Sequence, residues 1–274
     1  MNSTAPEAHL VPIREVAKIT GLNPITIRAW ERRYDLVEPI RTESGHRLYT
    51  PEHIVTLQEA VKLTQQGIPI SQIKALLPEP KVAIPAQNDD IRQPLIQQVE
   101  KQDSTQLNQL LESLLADFPD SFWIAALLKT DFALRDAATT QRNFWESLLL
   151  PRLYSRLYLA QRSQTSRRPL IWVQAQTQRE RVLQILAALQ INLGGGRAFI
   201  TSETLTPDDN AMKQLQANHC KGLAAASFAP DFHARAWQKW SQAHPSFQCH
   251  LFAHPALKPL DESHSLSVTF FDQE

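Results

Sequence analysis

The chain has 274 residues, and its 28 basic and 28 acidic side chains leave it neutral overall. This length exceeds what one hydrophobic core usually holds, which predicts two or three domains. No run of 18 apolar residues occurs, and the N-terminus lacks the basic start and apolar core of a signal peptide. We therefore expect residues 1–9 to be a disordered tail of a cytoplasmic protein.

A pair of short helices is predicted next, at residues 13–34. The first helix has apolar residues at helical spacing and ends at a glycine, where a turn needs positive φ. Its markers are Ile13, Val16, Ala17 and Gly21. Asn23 is a preferred N-cap and Pro24 suits the first helical position, so a second helix begins there and runs to about Tyr34.

The second helix is predicted to be cationic on its outer surface. We expect Ile25, Ala29 and Trp30 to face the first helix, which leaves a group of polar side chains pointing elsewhere. That group contains Thr26, Arg28, Arg32 and Arg33. A compact helix pair with a cationic second helix is typical of a helix-turn-helix whose recognition helix enters the DNA major groove.

A turn between two extended segments is predicted at residues 38–49 and would form a wing beside the helix pair. Thr50 and Pro51 repeat the N-cap signal, so another helix follows up to Gly67, and a shorter one covers 70–77. Forked, hydrogen-bonding and amphipathic side chains suit phosphate and base-edge contacts. The candidate DNA-binding residues are Thr26, Arg28, Arg32, Arg33, Tyr34, Arg41, His46, Arg47 and Tyr49.

Residues 26–32 and 41–49 match two motifs of one family. The first reads T-x-R-x-W-E-R and the second R-x-x-x-G-H-R-x-Y, and together they resemble the winged helix-turn-helix of MerR-family transcriptional regulators. Asp35 departs from the pattern, since relatives have glycine there, but aspartate tolerates the left-handed conformation. The resemblance implies a homodimer on a palindromic promoter, which activates by distorting the DNA so that RNA polymerase, an indirect partner, recognises both promoter elements.

The predicted DNA-binding domain covers residues 10–78. Residues 1–78 contain nine basic and eight acidic side chains, a difference of only +1, so affinity must depend on where the charges lie and on dimerisation. The proline-rich stretch 79–90 is predicted to be a linker. The long dimerisation helix of many MerR proteins is missing after it, so subunit contacts are expected in the last two thirds of the chain.

A bundle of four helices is predicted for residues 91–168. Leucines recur at i, i+3, i+4, i+7 and i+8 from Leu107, and two further apolar stripes follow from Trp123 and Trp145. We interpret these aromatic residues as ordinary core.

Residues 169–274 alternate between short apolar runs and helices. Strands are predicted at 170–173, 198–200, 223–226, 249–252 and 266–271, with helices near 178–193, 207–218 and 232–243. This order predicts a flavodoxin-like, doubly wound parallel sheet with helices on both faces. Its ligand crevice would lie at 175–179, Ser202 and 227–230. The three glycines at 194–196 are interpreted as a helix cap and turn.

The order of these parts resembles the MerR branch that includes cobalamin-dependent light-responsive repressors (CarA, CarH and LitR types) and the curli regulator MlrA. In cobalamin-binding members an E-x-H-x-x-G run opens the first helix of the last domain, and its histidine ligates cobalt. The aligned residues here are Gln178, Glu180 and Leu183. Ser227 matches a nucleotide-contacting serine, but Phe252-Ala253 replaces a Gly-Gly pair, and Ser155-Arg156 follows Trp145 where light sensors have Glu-His. The resemblance therefore implies a degenerate domain without cobalamin.

No catalytic or metal-binding constellation is predicted. Cys220 and Cys249 stand alone, and six histidines in the last third fit no compact ligand set. We expect neither an enzyme nor a cofactor, and we interpret the last two domains as a module for a protein or small-molecule effector. Two alternatives stay open: a cobalamin-carrying light sensor or corrinoid enzyme with a regulatory head, and a nucleoid-structuring protein without a promoter role.

Overall fold

The computed structural model describes residues 10–42, 44–76, 91–162, 167–230, 232–257, 260 and 265–271. They form two compact units. The first contains residues 10–76, Ile91 and Gln109–Trp123, and the second contains Arg92–Asn108 and the described residues from Ile124 onward. The predicted tail at 1–9 and linker at 79–90 lie outside the described residues. Within the described ranges, no helix is long and apolar enough to cross a membrane.

The first unit begins with four helices and a small antiparallel sheet. The helices are α1 (Ile13–Thr20), α2 (Pro24–Tyr34), α3 (Pro51–Gln65) and α4 (Ile70–Leu76). The strands are β1 (Val11–Pro12), β2 (Ile40–Arg41) and β3 (Arg47–Tyr49), arranged in the order β1-β3-β2. β2 and β3 form a hairpin in which Arg41 is paired with Arg47.

The predicted ends of α2 are confirmed. The Asn23 side chain accepts a hydrogen bond from the Ile25 backbone N–H, and Pro24 occupies the first turn, where its missing N–H costs nothing. Asp35 closes the helix in the left-handed conformation with φ of 50°. Asp35 therefore adopts the left-handed conformation that the sequence predicts for this position.

The prediction that α2 buries Trp30 is confirmed, but the structure buries Ile27 rather than Ile25 and Ala29. Ile27 and Trp30 are fully buried in the core of this unit, whereas Ile25 and Ala29 stay partly exposed. Apolar residues at 25, 27, 29 and 30 fit two faces of so short a helix equally well. The packing against Val16 and Leu57, which share that core, decides between them.

Four helices occupy the described residues 91–162, in agreement with the predicted helical segment. They are α5 (Arg92–Lys101), α6 (Ser104–Asp117), α7 (Asp120–Ala133) and α8 (Thr139–Arg162). Leu107, Leu111, Trp123 and Trp145 are all fully buried, so the aromatic residues have the core role expected of them.

The second unit is built on a five-stranded parallel sheet, which confirms the predicted sheet. Its strands are β4 (Leu170–Ala175), β5 (Arg197–Ile200), β6 (Gly222–Ala226), β7 (Gln248–Ala253) and β8 (Leu266–Phe270), in the order β5-β4-β6-β7-β8. The chain leaves β4 toward one edge and then returns to pair β6 on the other side. The carboxyl ends of β4 and β6 therefore form the switch point where such sheets place ligands.

Three helices connect these strands: α9 (Arg181–Leu193), α10 (Asp209–Ala217) and α11 (Ala234–Ala243). The helix predicted from residue 178 begins later, because Gln178–Glu180 forms a 3₁₀ turn. Gly195 has a φ of 93° in the turn before β5, a conformation that glycine adopts without strain. The central strand β6 is buried along its whole length, as expected for a sheet covered on both faces.

Candidate nucleic-acid interface and C-terminal crevice

Four arginines line one groove of the first unit, which we call the arginine groove. Arg28 and Arg32 extend from α2, while Arg41 and Arg47 come from the β2–β3 hairpin. The groove has a volume of about 710 Å³ and also contains three carboxylates, those of Glu31, Asp35 and Glu38. Helix and hairpin thus present their cations to one space.

Glu31 connects the two sides of the arginine groove. Its Oε1 accepts a hydrogen bond from Arg41 Nη2 at 3.2 Å, and its Oε2 accepts one from Arg47 Nε at 2.7 Å. The Glu31 side chain is only 14% exposed, so both contacts are partly shielded from water. The hydrogen bond to Glu31 also raises the pKa of Arg47 above its ordinary value. The carboxylate therefore fixes both guanidinium groups relative to α2.

Arg28 and Arg32 are available to an anionic partner. Both are exposed, and no ion pair engages either of them within the described part of the chain. The nearby Asp35 carboxylate is paired instead with Lys74 Nζ at 2.7 Å. Two exposed, unpaired guanidinium groups on one helix face are suited to phosphate or base-edge acceptors.

The tip of the hairpin is a tight turn. The Thr42 backbone N–H donates to the His46 carbonyl, and the Gly45 N–H donates to the Thr42 carbonyl. Gly45 has a φ of 80°, which glycine adopts without strain. His46 is exposed at this tip and precedes Arg47, which lines the groove.

Tyr49 differs from the other candidate contacts because its side chain is completely buried. Its hydroxyl has no hydrogen-bond partner among the described residues, and burial, with a further contribution from the Glu31 charge, raises its pKa to about 12. The ring also meets the His53 ring edge to face, with centroids 6.3 Å apart. In this conformation Tyr49 supports the hairpin from the core and cannot touch a partner in the groove.

A second face of α2 is directed at two carboxylates in the same compact unit, Asp117 and Asp120, which we call the acidic pair. Tyr34 donates its hydroxyl hydrogen bond to Asp117. Asn23 Nδ2 donates to Asp120 Oδ2 at 3.2 Å, and the Thr26 hydroxyl lies 3.5 Å from Asp120 Oδ1. Thr26 is buried and Tyr34 is partly buried as a result.

Burial dominates the electrostatics of this second face. It raises the pKa of Tyr34 to about 12, and the Asp117 carboxylate adds to that shift. Burial also raises the pKa of Asp117, while the Tyr34 hydroxyl and the Arg33 charge oppose the shift. Arg33 is exposed and acts on Asp117 electrostatically, so it belongs to this face and lies outside the arginine groove lining.

The sequence did not predict the contacts of Glu31 or of the acidic pair. Glu31 lies inside the matched T-x-R-x-W-E-R motif, but the motif does not reveal that its partners are Arg41 and Arg47. The acidic pair lies more than 80 positions after Tyr34, and no spacing rule connects residues that far apart.

In the second unit, Glu180 closes the switch point between β4 and β6. Its Oε1 accepts from the Ser227 hydroxyl at 2.9 Å and from the Phe228 backbone N–H at 2.7 Å. Its Oε2 accepts from the Thr177 backbone N–H at 2.9 Å and from the Thr177 hydroxyl at 3.2 Å. Glu180 is buried, and these four bonds use all four acceptor positions of its carboxylate.

Rings fill the neighbouring part of the predicted crevice. His254 and Phe271 directly follow β7 and β8, Phe228 lies two residues after the end of β6, and Phe132 of α7 contacts all three rings. The centroid distances from Phe132 are 5.7, 5.2 and 5.3 Å, and those of Phe228 and Phe271 are 5.0 Å apart. We call these four rings the aromatic cluster.

The crevice does not fit cobalamin. The resemblance predicted from the sequence places Glu180 where cobalamin-binding proteins have a cobalt-ligating histidine, and a carboxylate is not the neutral imidazole which that role needs. A carboxylate with all its acceptor positions in use offers no lone pair to a metal. The Ser227 hydroxyl donates its hydrogen bond to the same carboxylate.

Comparison with known proteins gives matches to the N-terminal part of the chain. The family model described as MerR HTH family regulatory protein matches residues 11–79. The HTH-type transcriptional regulator MlrA of Salmonella typhimurium is 43% identical over 68 residues, which is 25% of this chain and 28% of that protein. MlrA of Escherichia coli is 40% identical over 75 residues, covering 27% of this chain and 31% of the relative.

The HTH-type transcriptional repressor CarH of Myxococcus xanthus is 40% identical over 67 residues, or 24% of this chain and 22% of CarH. The chain thus spans less than a third of the length of these curated relatives. The matched residues include α1 to α4 and the whole arginine groove. The N-terminal quarter of the chain is therefore a helix-turn-helix domain of the MerR family.

Proposed function

We propose that the chain is a sequence-specific, DNA-binding transcriptional regulator. The arginine groove carries this proposal, because it unites two exposed guanidinium groups on α2 with two guanidinium groups that Glu31 holds on the hairpin. In this proposal α1 and α2 form a winged helix-turn-helix with α2 as the recognition helix. The β2–β3 hairpin is the wing.

Each part of the groove has a distinct task in the proposed complex. Arg28 and Arg32 enter the major groove, where a guanidinium fork matches the paired acceptors of guanine. Arg41, His46 and Arg47 hold flanking phosphates from the wing and set the register of the protein on DNA. Arg33 extends the interface on the second face of α2, which Thr26 and Tyr34 can join only in a conformation that releases them from the acidic pair, while Tyr49 supports the wing from the core.

The proposed active form is a homodimer on an inverted repeat. The groove contains four arginines and three carboxylates, so its net charge is only slightly positive. One subunit therefore gains little affinity for DNA from net charge. A dimer that contacts two half-sites at once gains affinity from both. These contacts also offset the energy needed to bend and untwist promoter DNA. Activation through such distortion, with RNA polymerase as the indirect partner, is the mechanism we propose.

We further propose that the second unit is an effector or protein-interaction module of flavodoxin-like type without cobalamin. Its strand order, with the first strand between the second and third, supports the flavodoxin-like assignment. The four hydrogen bonds of Glu180 and the adjacent aromatic cluster support the absence of cobalamin.

Replacement of Arg28 tests DNA binding most directly. The probe is a duplex that the purified full-length chain selects from a random-sequence pool, and fluorescence anisotropy gives its affinity. Because Arg28 is exposed and unpaired among the described residues, Arg28→Ala should weaken binding about tenfold or more, in the range of one bidentate base contact. The melting temperature should stay within about 1 °C, because surface substitutions of this kind change stability little.

Arg167→Ala is the matched control, since it removes the same charge from an exposed site in the second unit. It should leave the affinity close to that of the unaltered chain. Equal affinities for Arg28→Ala and Arg167→Ala would refute the assignment of Arg28. Selected sequences without any shared inverted repeat would favour a nucleoid-structuring protein instead.

A further inference from the structure

Two carboxylates outside the matched family region hold the second face of α2. Asp117 ends α6 and Asp120 begins α7. Between them they accept hydrogen bonds from the Tyr34 hydroxyl and Asn23 Nδ2, and the Thr26 hydroxyl stands at the limit of hydrogen-bonding distance. The contacts link residues more than 80 positions apart within one compact unit.

The groups held in this way are donors that a DNA-reading helix needs. Thr26 and Tyr34 are candidate DNA-binding residues, and Arg33 lies in the electrostatic field of Asp117. A carboxylate resembles a phosphate in being anionic and accepting several hydrogen bonds. Because a hydroxyl has one hydrogen, Tyr34 cannot donate to Asp117 and to a DNA phosphate at the same time.

We infer that the acidic pair is a built-in competitor of DNA, which occupies part of the recognition helix until DNA or another partner displaces it. The inference rests on the proposed DNA-binding function and adds an internal restraint on it. Only molecules whose α2 has left the acidic pair present all the candidate donors. The apparent affinity for DNA is then the intrinsic affinity multiplied by the fraction of released molecules.

Burial strengthens this competition. Asp120 is buried, and Asp117 and Tyr34 are partly buried, so water shields their contacts less than it shields an exposed ion pair. A hydrogen bond to a charged group in such surroundings shifts an equilibrium by roughly tenfold. Loss of one such contact should therefore change DNA affinity measurably without unfolding the domain.

Asp117→Ala is the variant to test, because Asp120 also accepts the Trp123 indole hydrogen bond and its loss would affect folding. Asp117→Ala should bind the duplex that the unaltered full-length chain selects about three- to tenfold more tightly than the unaltered chain does. Glu112→Ala is the matched control, since Glu112 is an exposed carboxylate on the same helix. It removes the same charge and should change affinity by less than about twofold.

Hydrogen exchange is a second measurement, and its result does not depend on the change in net charge that Asp117→Ala causes. If DNA displaces the acidic pair, backbone amides of residues 113–123 should exchange faster in the DNA complex than in the free chain. The inference is overturned if Asp117→Ala binds no more tightly than Glu112→Ala, or if DNA leaves exchange at 113–123 unchanged or slower. Failure of the proposed function is distinguishable, because the unaltered chain would then select no duplex at all.

Discussion

At the scale of single residues, the unexpected feature is a carboxylate in the middle of a surface proposed to bind an anion. On charge alone, Glu31 should repel DNA. Its two oxygens are directed instead at Arg41 and Arg47, which it holds against α2. An arginine that is already ordered loses less conformational entropy on binding, so a positioning carboxylate can increase affinity although its charge opposes DNA.

Glu31→Gln should weaken binding to the selected duplex by about three- to tenfold, because one of the two acceptor oxygens becomes an NH2 group, which cannot accept from the guanidinium that it faces. The sign of the change decides the role of Glu31, since removal of a repulsive charge alone would strengthen binding. Anisotropy titrations at several salt concentrations should also show a smaller salt dependence, by about one phosphate contact.

Glu38→Gln is the matched control for Glu31→Gln. Glu38 lines the same groove and is exposed, and within the described residues no ion pair engages it. Its neutralisation should leave binding unchanged or slightly tighter. If Glu31→Gln also binds as tightly as the unaltered chain, Glu31 has no positioning role.

At the scale of elements, the contact between α7 and α8 in the second unit contains a buried charge. Asp131 Oδ1 accepts from Arg142 Nη1 at 2.6 Å and from Trp145 Nε1 at 2.9 Å. Its Oδ2 has no partner among the described residues. Burial raises the pKa of Asp131 from 3.8 to about 6, although the Arg142 charge opposes the shift. The carboxylate of Asp131, which lies between the two helices, therefore ionises only at a cost in free energy.

This shift predicts how stability changes with pH. Because the folded state binds the Asp131 proton more tightly than the unfolded state does, the contribution of Asp131 to stability falls as the pH rises from about 4 to about 6. Asp131→Asn cannot titrate. The stability of the Asn variant relative to the unaltered chain should thus rise over this window by up to about 3 kcal/mol, measured by urea denaturation.

Asp136→Asn provides the comparison for Asp131→Asn, because the Asp136 side chain is 81% exposed. Its stability difference from the unaltered chain should stay nearly flat between pH 4 and pH 6. A flat difference for Asp131→Asn as well would show that burial does not raise the pKa of Asp131 as described.

At the scale of the whole molecule, a MerR helix-turn-helix shares a chain with a parallel sheet whose ligand crevice is occupied by its own side chains. Here Glu180 ties the loops after β4 and β6 together, and the aromatic cluster covers the ends of the next strands. Side chains of the second unit itself therefore close this end of the sheet.

Incubation with adenosylcobalamin followed by gel filtration should leave no corrin absorbance in the protein fraction. Glu180→His should not gain that absorbance, because the aromatic cluster still fills the crevice. A corrin band in the unaltered chain would overturn the proposed loss of cobalamin. A corrin band only in Glu180→His would show that the chain lacks nothing but a cobalt-ligating side chain and that the aromatic cluster can move aside.

Local signals explain which parts of the fold could be predicted from the sequence. Asn23 and Pro24 mark the start of α2, and the βα alternation after residue 169 predicts a parallel sheet, because caps and periodicity act over a few residues. On the buried face of α2, Trp30 was predicted correctly, but Ile25 and Ala29 were predicted where the structure buries Ile27. Several apolar residues were available, and the shared core with Val16 and Leu57 selects Ile27 among them.

The amino-acid sequence by itself determined that the N-terminal quarter is a MerR helix-turn-helix. It also predicted Arg28, Arg32, Arg41 and Arg47 as DNA-binding residues, and the structure places these four side chains around one groove. Only the tertiary structure decided which side chains restrain one another. Glu31 joins α2 to the hairpin, Asp117 holds Tyr34, and Glu180 closes the crevice. The reason is physical: caps and periodicity depend on neighbouring residues, whereas a carboxylate finds its donors wherever packing brings them, across any length of chain.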